Sequence, residues 1–186
     1  NDRNTPHKSW LPSRRADLDF FFWNRYKKYL EEAKHWNPRV TATLDNVSDE
    51  IVDLLGDPQS TQQFQRRGLV LGDVQSGKTA NYLSLINLAC DFGYKIIVLL
   101  AGMTDSLREQ TQDRVDLGFI GAVSESIGGG VEYAGVGLMK TDLFAVPLTN
   151  TKNDFVKFIK SNIIIFNISF FFNNFFYYFK NSLKNS

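Results

Sequence analysis

The sequence predicts an α/β fold built around a parallel sheet, and three observations support this. Residues 72–79 match the phosphate-binding pattern G-x-x-x-x-G-K-[ST] in full. A short apolar stretch at 68–71 precedes them, and an uninterrupted apolar stretch at 96–100 follows a helical segment. Strand, helix, strand and helix at these lengths form a βαβα unit, so the strands are expected to run parallel with right-handed connections.

Helices are expected before the sheet. Residues 1–16 contain two prolines and scattered charges, which is typical of a linker. Residues 17–33 follow an amphipathic helical pattern rich in aromatic residues, which more often marks a packing face than a platform for stacking bases. Asn37-Pro38 is expected to end that helix. Ser48 is the expected N-cap of a helix over 49–55. Residues 17–66 are therefore predicted to form a helical N-terminal region.

Residues 67–155 are predicted to form the core of the fold. Residues 69–71 are apolar throughout, as expected of a central parallel strand that is covered on both faces. The helix after the loop is expected over 80–91, with Gly93 as its C-terminal stop and Cys90 as buried filler. Thr104 or Asp105 is expected to cap the next helix, which Gly118 closes.

Two later segments differ in composition from this core. Residues 121–146 are rich in glycine and are predicted to be a flexible connection, because no strand-to-helix setting suggests a second phosphate loop. Residues 161–186 hold seven Phe and six Asn but no acidic residue, Gly or Pro. We predict that residues 156–186 are a low-complexity tail that is disordered or translated from a non-native frame. A membrane helix over 163–179 is the alternative, although its asparagines would need partners in hydrocarbon.

The phosphate loop predicts the kind of ligand. Gly72 and Gly77 let the backbone turn tightly and approach a ligand, and the amides of 74–79 can converge on phosphate oxygens at the positive end of the following helix. Lys78 can reach the outer phosphates, and the Thr79 hydroxyl is a candidate Mg²⁺ ligand. The candidate nucleotide-binding residues are Gly72, Asp73, Val74, Gln75, Ser76, Gly77, Lys78 and Thr79.

The charge balance bears on possible binding partners, and the cysteine content bears on the cellular compartment. The chain of 186 residues has 21 basic and 20 acidic residues, which gives no electrostatic case for nucleic acid or an anionic membrane. Its single cysteine excludes an internal disulfide, which suits a cytoplasmic location.

The segment around the loop resembles the Z-one domain of predicted bacterial endonucleases. The specific part of the resemblance runs from residue 67 to residue 112, with the motifs RGLVLGDVQSGKTANY and AGMTDSLREQTQ. Weaker similarity extends it to about residues 36–155, through the segments 48–51, 55–58, 135–137 and 148–155.

This resemblance implies a helicase-like ATPase of the RecA type. Members of the family are large proteins that occur with DNA restriction or phage-defence genes. By the resemblance, Lys78 and Thr79 hold ATP and Mg²⁺, and a segment after the second strand contacts the nucleic-acid backbone through Thr104, Leu107, Arg108 and Gln110. A capped surface helix is the alternative for that segment.

The sequence departs from the family pattern after Phe155. No Asp-Glu pair ends a later apolar strand, so the carboxylate that would orient Mg²⁺ and the attacking water is missing and the catalytic residues are unknown. The expectation is the ATP-binding fragment of a DNA-processing protein, with DNA as a partner of the full-length parent only.

Two other functions could use the same loop. A nucleotide or small-molecule kinase would need a lid rich in arginine, but no arginine follows Gly121. A nucleotide switch anchored to a membrane by the C-terminal tract is the third possibility, with the membrane as the less favoured partner.

Overall fold

The computed structural model describes residues 7–61, 65–71, 77–101, 104–140, 145–152, 164–169 and 177–180. The helices are α1 (Leu11–Arg15), α2 (Phe21–Lys28), α3 (Pro38–Leu54), α4 (Lys78–Asp91) and α5 (Asp105–Val115). π-helical turns extend α2 over Tyr29–Ala33 and α5 over Asp116–Ile120, and short 3₁₀ turns cover Ser124–Ser126 and Gly135–Leu138. The strands are β1 (Gln65–Gly68), β2 (Ile96–Ala101), β3 (Val146–Pro147), β4 (Ile164–Ser169) and β5 (Tyr177–Lys180).

The described strands form two separate sheets. One is parallel, with the order β2-β4-β3, and both Ile96 and Val146 pair with Ile164. The other joins β1 to β5 in antiparallel register. The strand that precedes the candidate loop therefore does not lie in the same sheet as β2, and a parallel sheet of the phosphate-loop type stays a prediction.

The first strand of the expected βαβα unit lies earlier than predicted. The sequence predicts it at 68–71, but β1 covers Gln65–Gly68. Leu69 and Leu71 are 58% and 83% exposed instead of buried. Residues 65–68 form the strand because they pair with β5, and this pairing ends four residues before the loop begins at residue 72.

The described residues of the C-terminal tail, 164–169 and 177–180, form strands, which differs from the expectation of a disordered tail for those residues. β4 lies in the middle of the parallel sheet, and β5 completes the antiparallel pair. Aromatic and β-branched residues favour extended backbone, which accounts for strands in this composition. A non-native reading frame stays a prediction.

Helix α3 begins eleven residues earlier than its predicted first residue. Asn37 is its N-cap, since its side chain accepts a hydrogen bond from the Arg39 amide at 2.9 Å, and Pro38 is its first residue. Ser48, the predicted cap, is buried inside the helix, where its hydroxyl donates to Ser84 Oγ at 3.0 Å. The prediction is wrong because Asn37-Pro38 starts this helix instead of ending the one before it.

Part of the predicted linker packs against the fold. The Asp53 carboxylate on α3 accepts hydrogen bonds from the amides of Trp10 and Leu11 at 2.9 and 2.8 Å. Leu11 is buried, and the Trp10 ring meets Phe92 edge to face with centroids 5.2 Å apart. Helix α1 and its N-cap Trp10 are therefore docked against the fold rather than part of a connection.

The aromatic helix is confirmed as a packing face. Trp23 and Tyr26 on α2 are fully buried, and Phe22 stacks on Phe119 with ring centroids 5.3 Å apart. The helix starts at Phe21 rather than Asp17. The rings of Phe22, Trp23 and Tyr26 lie in the core and so are not available for stacking bases.

The carboxylate of Asp91 at the end of α4 holds the start of α2. Its two oxygens accept hydrogen bonds from the Phe22 and Trp23 amides at 2.9 and 2.8 Å. Burial raises the pKa of Asp91 from 3.8 to about 6, and the hydrogen bonds from backbone amides oppose this shift.

This raised pKa gives a prediction for stability against pH. The folded chain binds the Asp91 proton more tightly than the unfolded chain, so proton binding at Asp91 adds to the free energy of unfolding. This stabilisation is present below about pH 4 and is lost as the pH rises through about 6. We expect the stability of the unaltered chain, minus that of Asp91→Asn, to fall across this range in urea unfolding experiments. A difference that stays constant with pH would contradict the assignment.

Helix α4 and its end agree with the sequence. It covers Lys78–Asp91, Cys90 is buried, and Gly93 follows with φ of 101°. Burial raises the pKa of the Cys90 thiol well above its ordinary value, so the thiol stays protonated. The prediction that Cys90 is buried filler is confirmed.

The end of α5 differs from the prediction. Thr104 is the N-cap, as expected, but the helix continues through its π-helical turn to Ile120, and Gly121 with φ of 84° closes it. Gly118 has another role, because a Cβ atom there would lie 2.7 Å from Leu83 Cδ1. The glycine leaves room for the Leu83 side chain of α4 rather than acting as a cap.

The glycine-rich segment is partly a packed element. Ala122 bridges to Tyr133, and Gly135, Val136 and Gly137 are buried. The expected flexible connection is wrong for these residues, because close contact with the turn at Gly121 fixes them. Within the described part of the chain, no helix is long and apolar enough to span a bilayer.

Candidate functional site

The structure describes only the last three residues of the predicted nucleotide-binding loop. Gly72, Asp73, Val74, Gln75 and Ser76 lie outside the described residues. Gly77, Lys78 and Thr79 are described, and they form the junction between the loop and α4. The part of the site that the structure describes is therefore residues 77–79, where the loop enters α4.

Gly77 has the left-handed backbone conformation, with φ of 77° and ψ of 18°. Its carbonyl accepts the first helical hydrogen bond of α4, from the Asn81 amide at 3.0 Å. A residue with a side chain is strained in this conformation, whereas glycine adopts it freely. The space where a Cβ atom would lie is open, with no atom within 4 Å. The motif glycine thus stands where a tight entry into the helix requires it.

The two residues after this glycine expose different amounts of surface to solvent. Lys78 is the first residue of α4 and is exposed, and Thr79 is half-buried. The positive end of the helix dipole favours an anion at this position, and an exposed ammonium group on the same turn strengthens that preference. These residues fit a phosphate group.

The core holds α4 rigidly behind this end. Leu85, Ile86 and Leu88 are fully buried. Asn87 donates from Nδ2 to the Gly118 carbonyl at 3.0 Å, which ties α4 to the turn after α5. A helix anchored in this way presents its first turn in one fixed direction, so a ligand there would lose little ordering entropy on binding.

The predicted metal ligand has no carboxylate cluster beside it in the described structure. In that part of the chain, no group of three or more His, Cys, Asp or Glu side chains is placed to hold a metal ion. Thr79 is the candidate Mg²⁺ ligand among the described residues of the loop, and Mg²⁺ beside a nucleotide usually takes most of its ligands from phosphate oxygens and water.

The four residues assigned to nucleic acid by resemblance divide into two groups. Thr104, Leu107 and Gln110 are exposed. Thr104 Oγ1 accepts a hydrogen bond from the Leu107 amide at 3.3 Å, and Gln110 donates to Ser106 Oγ at 3.2 Å. Arg108 differs, because it is buried. Its guanidinium donates to the carbonyls of Asn150 and Thr151 at 2.9 and 2.7 Å.

Arg108 belongs to one of two neighbouring groups of buried hydrogen bonds, which together we call the α5 network. One group joins Arg108 to the carbonyls of Asn150 and Thr151, and the other joins Gln112, Asp116, Thr149 and the Ser124 amide. Gln112 donates to Asp116 Oδ1 at 2.8 Å and accepts from Thr149 Oγ1 at 2.8 Å. Asp116 Oδ2 accepts from the Ser124 amide at 2.8 Å. The α5 network joins the helix after β2 to the segment after β3.

The sequence contains a pattern that could have indicated the α5 network, but the polar character of its residues favours a different interpretation. Arg108, Gln112 and Asp116 are spaced four apart, so they share one face of a helix. Polar residues on a helix face usually indicate solvent, which favours the interpretation of this face as a surface. Arg108 and Gln112 are buried against the 149–151 segment, which is about forty residues away in the sequence.

A separate cleft of about 200 Å³ lies beside α2. Its lining includes Phe20, Phe21, Arg25, Lys28 and Lys140. None of the residues that the motif or the resemblance selected is among its lining residues. Burial lowers the pKa of Arg25 to about 10, and its guanidinium donates to the Phe119 carbonyl. These contacts indicate a structural arginine.

Comparison of the chain with protein-family models, with curated proteins and with solved structures finds no match.

Proposed function

We propose that this chain binds a nucleoside triphosphate with Mg²⁺ through residues 72–79 and serves as the ATP-binding part of a helicase-like DNA-processing protein. The observation that carries the proposal is the left-handed Gly77 immediately before Lys78 at the start of a fourteen-residue helix. The full loop motif in the sequence supplies the remaining argument.

The roles of the described residues follow from their positions. Gly77 sets the turn that leads into α4, and the first amides of α4 offer hydrogen bonds to phosphate oxygens. Lys78 adds a compact positive charge for the outer phosphates. Mg²⁺, when bound, would neutralise phosphate charge, and Thr79 is the residue of this junction that would hold it.

The choice of a DNA-processing ATPase over other nucleotide-binding proteins rests on the resemblance to the Z-one domain. The exposed positions of Thr104, Leu107 and Gln110 are compatible with a contact to a nucleic-acid backbone. Arg108 is excluded from this proposal, since its side chain is buried against the 149–151 segment.

Replacing Lys78 with alanine tests the proposal. A charge-assisted hydrogen bond contributes about 1.5–3 kcal/mol, so we expect Mg²⁺-ATP binding to weaken by roughly ten-fold to one hundred-fold. Titration calorimetry with Mg²⁺-ATP would measure it. Lys95→Ala is the matched control, because Lys95 is an exposed lysine just before β2 and outside the motif. Equal affinities for Lys78→Ala and the unaltered chain would refute the proposal.

The same samples should show little ATP hydrolysis. Phosphoryl transfer depends on a carboxylate that positions Mg²⁺ and the attacking water, and no Asp-Glu pair ends an apolar strand after the loop in this sequence. We therefore expect phosphate release at the rate of the buffer control. Turnover that Lys78→Ala abolishes would show that another residue supplies this carboxylate.

A further inference from the structure

The apolar stretch before the candidate loop lies outside the parallel sheet. Leu69 and Leu71 are 58% and 83% exposed, and Val70 between them is half-buried. A stretch that is apolar at every position suits a parallel strand covered on both faces, and is poorly suited to solvent. Residues 69–71 are thus in a setting that their composition does not favour.

The position that would suit them is occupied by the C-terminal tail. β4 lies between β2 and β3 and is parallel to both. Its pairing with β2 runs over the full length of that strand, from Ile96 opposite Ile164 to Ala101 opposite Ser169. The middle strand of the described parallel sheet is therefore supplied from about seventy residues downstream of β2.

The chain connection shows why this matters. From residue 71 the backbone passes through the loop into α4 and then into β2, which is the connection of a βαβ unit. In such a unit the strand before the helix lies parallel to the strand after it in one sheet. Here β1, directly before residues 69–71, pairs antiparallel with β5 in a second sheet. Two strands of the tail therefore keep residues 69–71 out of the parallel sheet: β4 occupies their position, and β5 holds the residues before them.

We propose that β4 is an autoinhibitory strand: it fills the central position of the parallel sheet that residues 69–71 take up when the tail is displaced. Its consequence for ligand binding rests on the proposed function. With residues 69–71 beside β2, the loop would start at the carboxyl edge of that sheet, where ligands of open parallel sheets bind. With β4 in place, the loop starts from an exposed stretch instead.

Proline substitutions in both tail strands test the exchange in the full chain. Proline cannot donate to a ladder and disrupts strand pairing, so Ile165→Pro/Asn167→Pro should release β4, and Tyr178→Pro in the same variant should release β5 from β1. We expect the amides of 69–71 to exchange with deuterium on the order of ten-fold more slowly in this variant, as their backbone enters the sheet. Ser182→Pro, outside both tail strands, is the control and should leave exchange unchanged.

A variant of Leu71 keeps the test valid if the proline variant folds poorly. In the unaltered chain Leu71→Asp should leave the thermal midpoint unchanged, because the side chain is exposed. In the proline background it should cancel the gain in protection, because the side chain would then be buried. A large loss of stability from Leu71→Asp alone, or no gain in protection at 69–71 after the proline substitutions, would overturn the proposal.

Binding of Mg²⁺-ATP separates this proposal from the proposed function. Slower exchange at 69–71 together with tighter ATP binding supports both. Slower exchange without any ATP binding supports the strand exchange and refutes the nucleotide site. Tighter ATP binding with unchanged exchange at 69–71 supports the nucleotide site and refutes the strand exchange.

Discussion

Replacing Gly137 with alanine is expected to destabilise the fold by about 3 kcal/mol. A methyl group at this position would lie 2.6 Å from the Gly121 carbonyl carbon and would also meet its oxygen. Both obstacles are backbone atoms, and Gly121 is fixed by its left-handed conformation at the end of the α5 turn. Neither can move aside without breaking the closure of that turn.

Urea unfolding of Gly137→Ala against Gly130→Ala would measure this effect. Gly130 belongs to the same glycine-rich segment, but it is exposed, and a methyl group added there would have no atom within 4 Å. We expect the control to change the free energy of unfolding by no more than about 0.5 kcal/mol. Equal stability of the two variants would show that the 121–137 contact is not part of the fold.

Replacing Arg108 with alanine is expected to cost a similar amount, about 3 kcal/mol. The change removes the guanidinium that donates to the carbonyls of Asn150 and Thr151 and leaves both acceptors beside a cavity. Loss of a buried charged donor costs more than loss of a neutral one, because desolvated acceptors are left behind. The segment after β3 should then detach from α5.

Thermal unfolding together with hydrogen exchange at 149–151 would test this role. Glu109→Ala is the matched control, because Glu109 is the exposed neighbour of Arg108 on the same helix. We expect it to leave stability and exchange unchanged. A stable Arg108→Ala protein that loses only affinity for single-stranded DNA would instead assign Arg108 to a nucleic-acid surface and contradict the buried role.

The elements that the sequence locates correctly are those with strong local signals. The aromatic helix, the helix after the loop, the strand at 96–100 and the Thr104 cap each depend on residues within a few positions of one another. Periodicity, capping and turn residues act at that range, so a linear pattern is sufficient to find them. The helix start at Asn37 has an equally local signal, but Asn-Pro is compatible with both the end of one helix and the start of the next.

The elements that the sequence locates wrongly depend on distant partners. The strand before the loop is shifted because it pairs with β5, more than one hundred residues away. Gly135 and Gly137 are packed rather than flexible because the turns at Leu117 and Gly121 lie against them. Composition identifies a glycine but does not show whether the missing side chain gives freedom or gives room for a neighbour.

The sequence by itself determined the loop motif, the helix that follows it and the left-handed glycine between them, because a tight turn before a helix is a local requirement on backbone conformation. Only the tertiary structure decided which strand fills the middle of the parallel sheet and that Arg108 is buried. Strand pairing and side-chain burial are settled by competition among segments far apart in the chain, and no local pattern contains the outcome of that competition.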